Sequence, residues 1–92
     1  MSIVNLFTWY DNDRMSYQGG DEMEIKYVKR IRDLREDHDK TQQEIADVLG
    51  TSQTMYARYE RGANELPIRH LLALCRYYRV SADYILGLSD KP

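Results

Sequence analysis

The stretch Gln42-Gln43-Glu44-Ile45-Ala46-Asp47-Val48-Leu49-Gly50-Thr51-Ser52-Gln53-Thr54-Met55-Tyr56-Ala57-Arg58-Tyr59-Glu60-Arg61-Gly62 decides how this chain folds. Thr41, just ahead of it, and Glu44 form a capping-box pattern, in which hydroxyl and carboxylate each satisfy a backbone N–H at a helix start. The pattern predicts a short helix ending at Leu49, because Gly50 tolerates the positive φ that lets a chain turn sharply. Ser52 is then a good N-cap for a second helix, which Gly62 terminates. Successive side chains on that helix are about 100° apart. Met55, Tyr56 and Tyr59 therefore share one arc, expected to be buried. Gln53, Thr54, Ala57, Arg58 and Arg61 share a second arc of roughly 140°. It is continuous, expected to be exposed, and free of acid, with Glu60 on its border.

The flanking sequence supports this pair. Asp21 and Glu24 predict the start of a helix in which Ile25, Val28, Ile31 and Leu34 form an apolar stripe, stopping near residues 36–38. Gly19-Gly20 is expected to break the chain just before it. After the Ala63-Asn64-Glu65-Leu66 loop, Pro67 suits the first turn of a fourth helix reaching about Tyr78. Its expected stripe is Ile68, Leu71, Leu74 or Cys75, and Tyr78. Ser81 opens a fifth helix, Ala82 to Leu86, ended by Gly87. Five helices without an internal repeat give an all-α domain over residues 24–92.

Residues 1–23 differ. Ile3-Val4-Asn5-Leu6-Phe7-Thr8-Trp9-Tyr10 is rich in β-formers and aromatics, and Asp11-Asn12-Asp13 reads as a turn. This is an N-terminal arm, with a short strand as one option. A free tail and an arm packed on its own domain or on a partner chain both fit that composition.

Ninety-two residues leave room for one core. A single cysteine, Cys75, excludes an intramolecular disulfide and points to a reducing, cytoplasmic setting. No basic region followed by an apolar stretch marks a signal peptide, and no apolar run approaches the ~20 residues of a membrane span. The net charge of −2 is unevenly spread: residues 26–79 hold eleven basic and eight acidic side chains, and the acidic excess lies at the two ends. A mildly basic middle permits a polyanionic partner without demanding one.

The outer arc has the chemistry of a helix inserted in a DNA major groove. Gln pairs with the N6 and N7 edge of adenine, Arg with the O6 and N7 edge of guanine, and Ala or the Thr methyl meets a thymine methyl. The free N–H groups at the helix start, near Ser52 and Gln53, suit a phosphate oxygen. A solvated polar face is the alternative for the same residues.

The spacing of Ala46, Gly50, Tyr56 and Tyr59 favours the DNA reading. A small residue lets the helices cross closely, a glycine makes the turn, and Ile45 with the two tyrosines fills the angle between them. From about Ile31 to Leu88 the chain resembles the helix-turn-helix of the phage repressor and Cro family, often called XRE-type regulators. Arg35, the run Glu60-Arg61-Gly62, and Val80-Ser81-Ala82-Asp83-Tyr84-Ile85-Leu86-Gly87 are part of that likeness. Tyr56 departs from it, standing where an aliphatic residue is usual, so its hydroxyl needs a partner or a path to solvent.

The resemblance implies a five-helix lambda-repressor-like domain that binds double-stranded DNA with residues 52–61 as the recognition helix. It implies base reading by Gln53, Thr54, Ala57 and Arg58, and backbone contact by Gln42 and Ser52. Arg61, Asn64 and Arg69 are further backbone candidates, although solvated surface charge explains Arg61 and Arg69 equally. Arg35 and Glu60 are implied to form an ion pair joining two helices. A bacterial or phage-encoded regulator of transcription on the nucleoid, most simply a repressor, follows by likeness. A homodimer on a palindromic operator is expected, with Leu86 and Leu88 or the arm's Phe7 and Trp9 as contacts.

No catalytic, metal or cofactor site is expected. His38 and His70 lack neighbours at ligand spacing, Asp11, Asp13, Asp37 and Asp39 fit solvated turns, and Cys75 fits a packed position on helix four. The rival to DNA reading is a protein-interaction module or antitoxin-like regulator whose arm, residues 1–23, holds a protein partner.

Overall fold

Each helix of this chain ends in the same way. In the computed structural model, α1 (Gln18–Asp37), α2 (Gln42–Leu49), α3 (Gln53–Glu60), α4 (Ile68–Tyr78) and α5 (Ala82–Leu86) follow one another, and there is no strand among the described residues. The structure describes the backbone from residue 18 and side chains from residue 26. The expected arm strand, the Phe7 and Trp9 contacts and the side chain of Ile25 lie outside the described residues.

The common stop is a residue at positive φ followed by an N–H that reaches back five positions. Asp39, Gly50, Gly62, Arg79 and Gly87 carry the positive φ. The reaching bonds are Lys40 N to Arg35 O, Thr51 N to Ala46 O, Ala63 N to Arg58 O, Val80 N to Cys75 O and Leu88 N to Asp83 O. This closure satisfies carbonyls that a helix end leaves without partners. The starts of α2, α3 and α5 match the sequence reading. Thr41 and Glu44 make the reciprocal capping box of α2, while Ser52 and Ser81 accept the Met55 and Tyr84 N–H groups at the starts of α3 and α5.

Two local expectations fail. Helix α1 begins at Gln18, so Gly19-Gly20 and Asp21 lie inside it rather than ahead of it. Glycine weakens a helix by about 1 kcal/mol per residue relative to alanine, which longer packing farther along α1 can outweigh. Ile68 is exposed (74%) instead of lying on the α4 core stripe. Pro67 is the N-cap of α4, ahead of its first residue, and the inward face runs through His70, Leu74 and Tyr78 at four-residue steps.

α2 packs on α3 and α4, α1 on α3 and α5, and α4 on α5. Ile31, Leu34, Ile45, Ala46, Leu49, Tyr56, Tyr59, Leu74, Tyr78 and Ile85 form the core, with Met55, Leu71 and Cys75 half-buried against it. Full burial of an aliphatic side chain such as Ile31 or Ile45 is worth about 1.5–3 kcal/mol. Burial pushes the Cys75 thiol up, away from the thiolate form a nucleophile needs.

Arg30 fastens α5. Its guanidinium lies 4.1 Å from the Tyr84 ring centroid. Nη1 donates to the carbonyls of Tyr84 (2.5 Å) and Ser89 (3.2 Å), and Nη2 donates to Asp90 at 2.9 Å. A five-residue helix cannot hold itself together in water, and this clamp adds to the anchor supplied by Ile85.

Among the described residues no helix is long and apolar enough to cross a membrane.

Candidate nucleic-acid interface

Gly50 sets the angle between α2 and α3. Its φ of 72° and ψ of 31° lie in the left-handed region, and its N–H closes on Asp47 O. No atom blocks a Cβ there, so the requirement for glycine is one of backbone conformation alone. Ala46, fully buried, lets the two helices approach.

Tyr56 and Tyr59 point inward as their helical phase requires, with rings packed edge-on at 6.3 Å. Tyr59 meets His70, whose Nδ1 lies 3.2 Å from the tyrosine hydroxyl. Burial, and then the Arg69 charge, lower the His70 pKa and favour the neutral ring. His70 was not foreseen in the core. The only signal was its four-residue step to Leu74, which a polar residue type hides. The Tyr56 hydroxyl is buried and has no hydrogen-bond partner among the described residues, as is that of Tyr78. It lies near the Glu60 carboxylate without an acceptable hydrogen-bond geometry, and burial pushes its pKa far up.

Glu60 is itself buried, at 4% exposure. The ion pair implied by resemblance is present: Arg35 Nε donates to Oε2 at 2.7 Å and Nη2 to Oε1 at 3.0 Å. Nη1 of Arg35 donates to Lys40 O at 2.8 Å, so one guanidinium joins α1, the α1–α2 turn and α3. Burial alone would raise the Glu60 pKa, but the Arg35 hydrogen bonds and charge, with Gln42 adding, outweigh it and hold the carboxyl low.

The pair extends to the surface. Gln42 Nε2 donates to Glu60 Oε1 at 3.0 Å, and Gln53 Nε2 donates to Gln42 Oε1 at 2.7 Å. An ionised carboxylate only accepts. It therefore fixes which end of the Gln42 amide faces inward, and Gln42 in turn fixes Gln53. The exposed Gln53 is left with its Oε1 and one N–H free, the acceptor–donor pair that an adenine edge requires. Gln42, expected at a phosphate, is thus also the orienting partner of Gln53.

Arg58 is oriented from the other end of α3. Its Nε donates to Asn64 Oδ1 at 2.6 Å, leaving the terminal nitrogens of the exposed side chain outward. Asn64, a backbone candidate by sequence, is placed here as a holder of Arg58. Gln53, Thr54, Arg58 and Arg61 are exposed and Ala57 is half-buried, so the five form one accessible acid-free face. Ser52 is exposed at the start of α3, where its Oγ accepts Met55 N–H and its hydroxyl proton is free to donate. Arg69 is exposed on α4.

A helix-turn-helix family profile matches residues 31–85. The chain is 41% identical over 66 residues to the Bacillus subtilis HTH-type transcriptional regulator YobD, covering 72% of this chain and 59% of that one. It is 32% identical over 64 residues to the cryptic phage CTXphi transcriptional repressor RstR of Vibrio cholerae, covering 70% and 58%. Antitoxin PezA of Streptococcus pneumoniae is 36% identical over 59 residues, covering 64% and 37%. The chain thus spans less than two thirds of the length of these relatives. No solved structure was found to match it.

Proposed function

The chain belongs to the helix-turn-helix family of XRE-type regulators, and on that premise we propose that it is a DNA-binding transcriptional repressor. In this reading α3 enters the major groove of double-stranded DNA, with Gln53, Thr54, Ala57 and Arg58 at base edges. Ser52 and the N-terminal amides of α3 meet phosphate, with Gln42, Arg61, Asn64 and Arg69 along the backbone. The supporting observation is the acid-free face of α3, whose Gln53 and Arg58 are held from behind by Gln42 and Asn64. Pre-oriented side chains lose less entropy on binding than free ones. Likeness to RstR, named a repressor, favours repression over activation. The setting that follows is the bacterial cytoplasm, on the nucleoid.

One such helix reads few base pairs, and a two-fold dimer on a palindromic operator doubles the site. Leu88, exposed at 61% just beyond α5, is the contact assigned here. Sedimentation of the full chain should give a dimer that Leu88→Glu dissociates; a persistent dimer would move the interface elsewhere.

Fluorescence anisotropy against duplexes selected from a random pool tests the DNA reading. Binding should weaken steeply with salt, and Gln53→Ala with Arg58→Ala should remove sequence preference while leaving weak salt-sensitive binding. Absence of binding to every selected duplex at low salt would favour the second reading. That reading, recognition of a protein partner through residues 1–23, draws on the likeness to a protein named an antitoxin.

A further inference from the structure

Two helices of this domain carry opposite charge on their outer faces. α2 contains no basic residue, and α4 contains no acidic one. At 100° per residue, Glu44 and Asp47 lie about 140–160° round α2 from the buried Leu49. Leu72 and Arg76 lie about 160° round α4 from the buried Leu74, and Arg79, three residues beyond Arg76, continues that row. All five side chains are exposed. Val48, next to Asp47, is 40% exposed and Leu72 is 45% exposed. Each row therefore sets one open aliphatic side chain beside two like charges.

Neither row is neutralised within the molecule. The ion pairs among the described residues are Lys29–Asp33, Arg30–Asp90, Arg35–Glu36 and Arg35–Glu60. Glu44 Oε1 accepts the capping N–H of Thr41 at 2.8 Å, and Asp47 Oδ1 accepts Gln43 Nε2 at 2.8 Å. The second oxygen of each carboxylate is left open, and an ionised carboxylate accepts at both oxygens. Arg76 and Arg79 make no side-chain hydrogen bond among the described residues. Arg79 also ends α4 at φ 60°, the position at which α2 and α5 use Gly50 and Gly87. A side chain retained at a strained position points to a role outside the fold.

The rows match in spacing. Glu44 and Asp47 are three residues apart, as are Arg76 and Arg79, a rise of roughly 4.5 Å at 1.5 Å per residue. Laid antiparallel, they bring Glu44 to Arg79, Asp47 to Arg76 and Val48 toward Leu72. We propose that α2 of one copy docks on α4 of a second copy through these rows. The occupant is this chain rather than an unrelated charged protein, because both halves of the contact, matched in charge and spacing, are present in it. The patches are unlike, so the contact is heterologous and adds copies in a row. It is separate from the two-fold contact assigned to Leu88, and it uses no residue assigned to DNA. Exposed ion pairs are individually weak, so the contact acts where copies are held side by side at high effective concentration. On the DNA reading, on which this one consequence rests, adjacent operator sites fill cooperatively.

Sedimentation velocity of the full chain tests the contact without DNA. At low salt the mean mass should keep rising beyond that of a dimer between micromolar and millimolar protein, and high salt should abolish the rise. Arg76→Glu alone and Asp47→Lys alone each place like charges opposite one another. Each should move association to about tenfold higher concentration, with helical circular dichroism unchanged. An equal mixture of the two variants should associate like the unmodified chain, because a lysine at position 47 of one then meets a glutamate at position 76 of the other. A merely structural role for either residue gives no such rescue. Absence of association beyond a dimer in the unmodified chain, indifference to either substitution, or a mixture no better than its separate components overturns the proposal. No readout involves DNA, so failure of the DNA reading is not mistaken for failure of this one.

Discussion

Replacing Glu60 by Gln tests the link between the core and the DNA face. The substitution keeps volume and shape, so no cavity forms, and removes only the charge that Arg35 faces at 2.7 and 3.0 Å. It leaves a buried guanidinium opposite an amide whose NH2 cannot accept. Breaking a buried pair from one side typically costs about 3–5 kcal/mol. The lower end applies here, because the Arg35 side chain is 14% exposed and can shift toward water. Arg35→Met should be the more damaging single change, since the Glu60 side chain is 3% exposed and has no such escape. At roughly 4–8 °C per kcal/mol for a domain of this size, a loss of about 3 kcal/mol lowers Tm by some 12–24 °C. Urea denaturation of both single variants and of the double variant gives the cycle, with a coupling energy expected near 2–3 kcal/mol. The Arg35→Met penalty should shrink as pH falls toward 4, because without the Arg35 hydrogen bonds and charge the burial of Glu60 raises its pKa and the carboxyl protonates. A second readout concerns DNA. An amide at position 60 can present either end to Gln42, so the orientation of Gln53 is no longer fixed and affinity for the selected operator should fall at temperatures where the variant is fully folded. Single-variant losses below about 1 kcal/mol, strictly additive losses, or unchanged operator affinity would refute the reasoning.

Other consequences follow from particular contacts. Arg79, at φ 60°, ends α4 in a conformation that costs a non-glycine residue about 1–2 kcal/mol. Arg79→Gly relieves it at some cost in unfolded-chain entropy, for a net stabilisation of about 0.5–1 kcal/mol by denaturant titration. Arg30→Ala removes bonds to Tyr84, Ser89 and Asp90, and hydrogen exchange should report loosening of α5 before that of α2 and α3. The lowered His70 pKa means that the unfolded chain binds more protons below about pH 6.5. Stability should therefore drop as pH falls from 7.5 to 5.5, and less so in His70→Gln; equal stability at both pH values would argue against a buried neutral ring. A further drop should follow below about pH 4.5 as the folded Glu60 carboxylate, whose pKa is depressed, is titrated.

The boundaries of α2, α3 and α5 were legible because caps act within a few residues. Thr41 with Glu44, Ser52, Ser81 and the glycines at 50, 62 and 87 each do their work on backbone groups at most five positions away. The division of α3 was legible for the same kind of reason: a 100° step places Tyr56 and Tyr59 opposite Gln53 and Arg58 whatever surrounds them. The start of α1 was misread because glycine in a first turn weakens a helix without forbidding it, and the deciding packing lies farther along the element.

What the sequence by itself determined, then, is the set of helices, the turn at Gly50 and the polar outer face of α3. All of these rest on short-range geometry. Only the tertiary structure decided where individual polar side chains go. Arg30 and Arg35 sit on the same helix and look alike in sequence, yet one clamps the end of α5 and the other meets Glu60 twenty-five residues away. His70 is inside and Ile68 outside because Tyr59 offers the imidazole a partner, while the start of α4 faces away from the core. The fate of a polar group depends on whether a complementary group is waiting at its end. That group generally comes from a distant part of the chain, so local pattern cannot announce it.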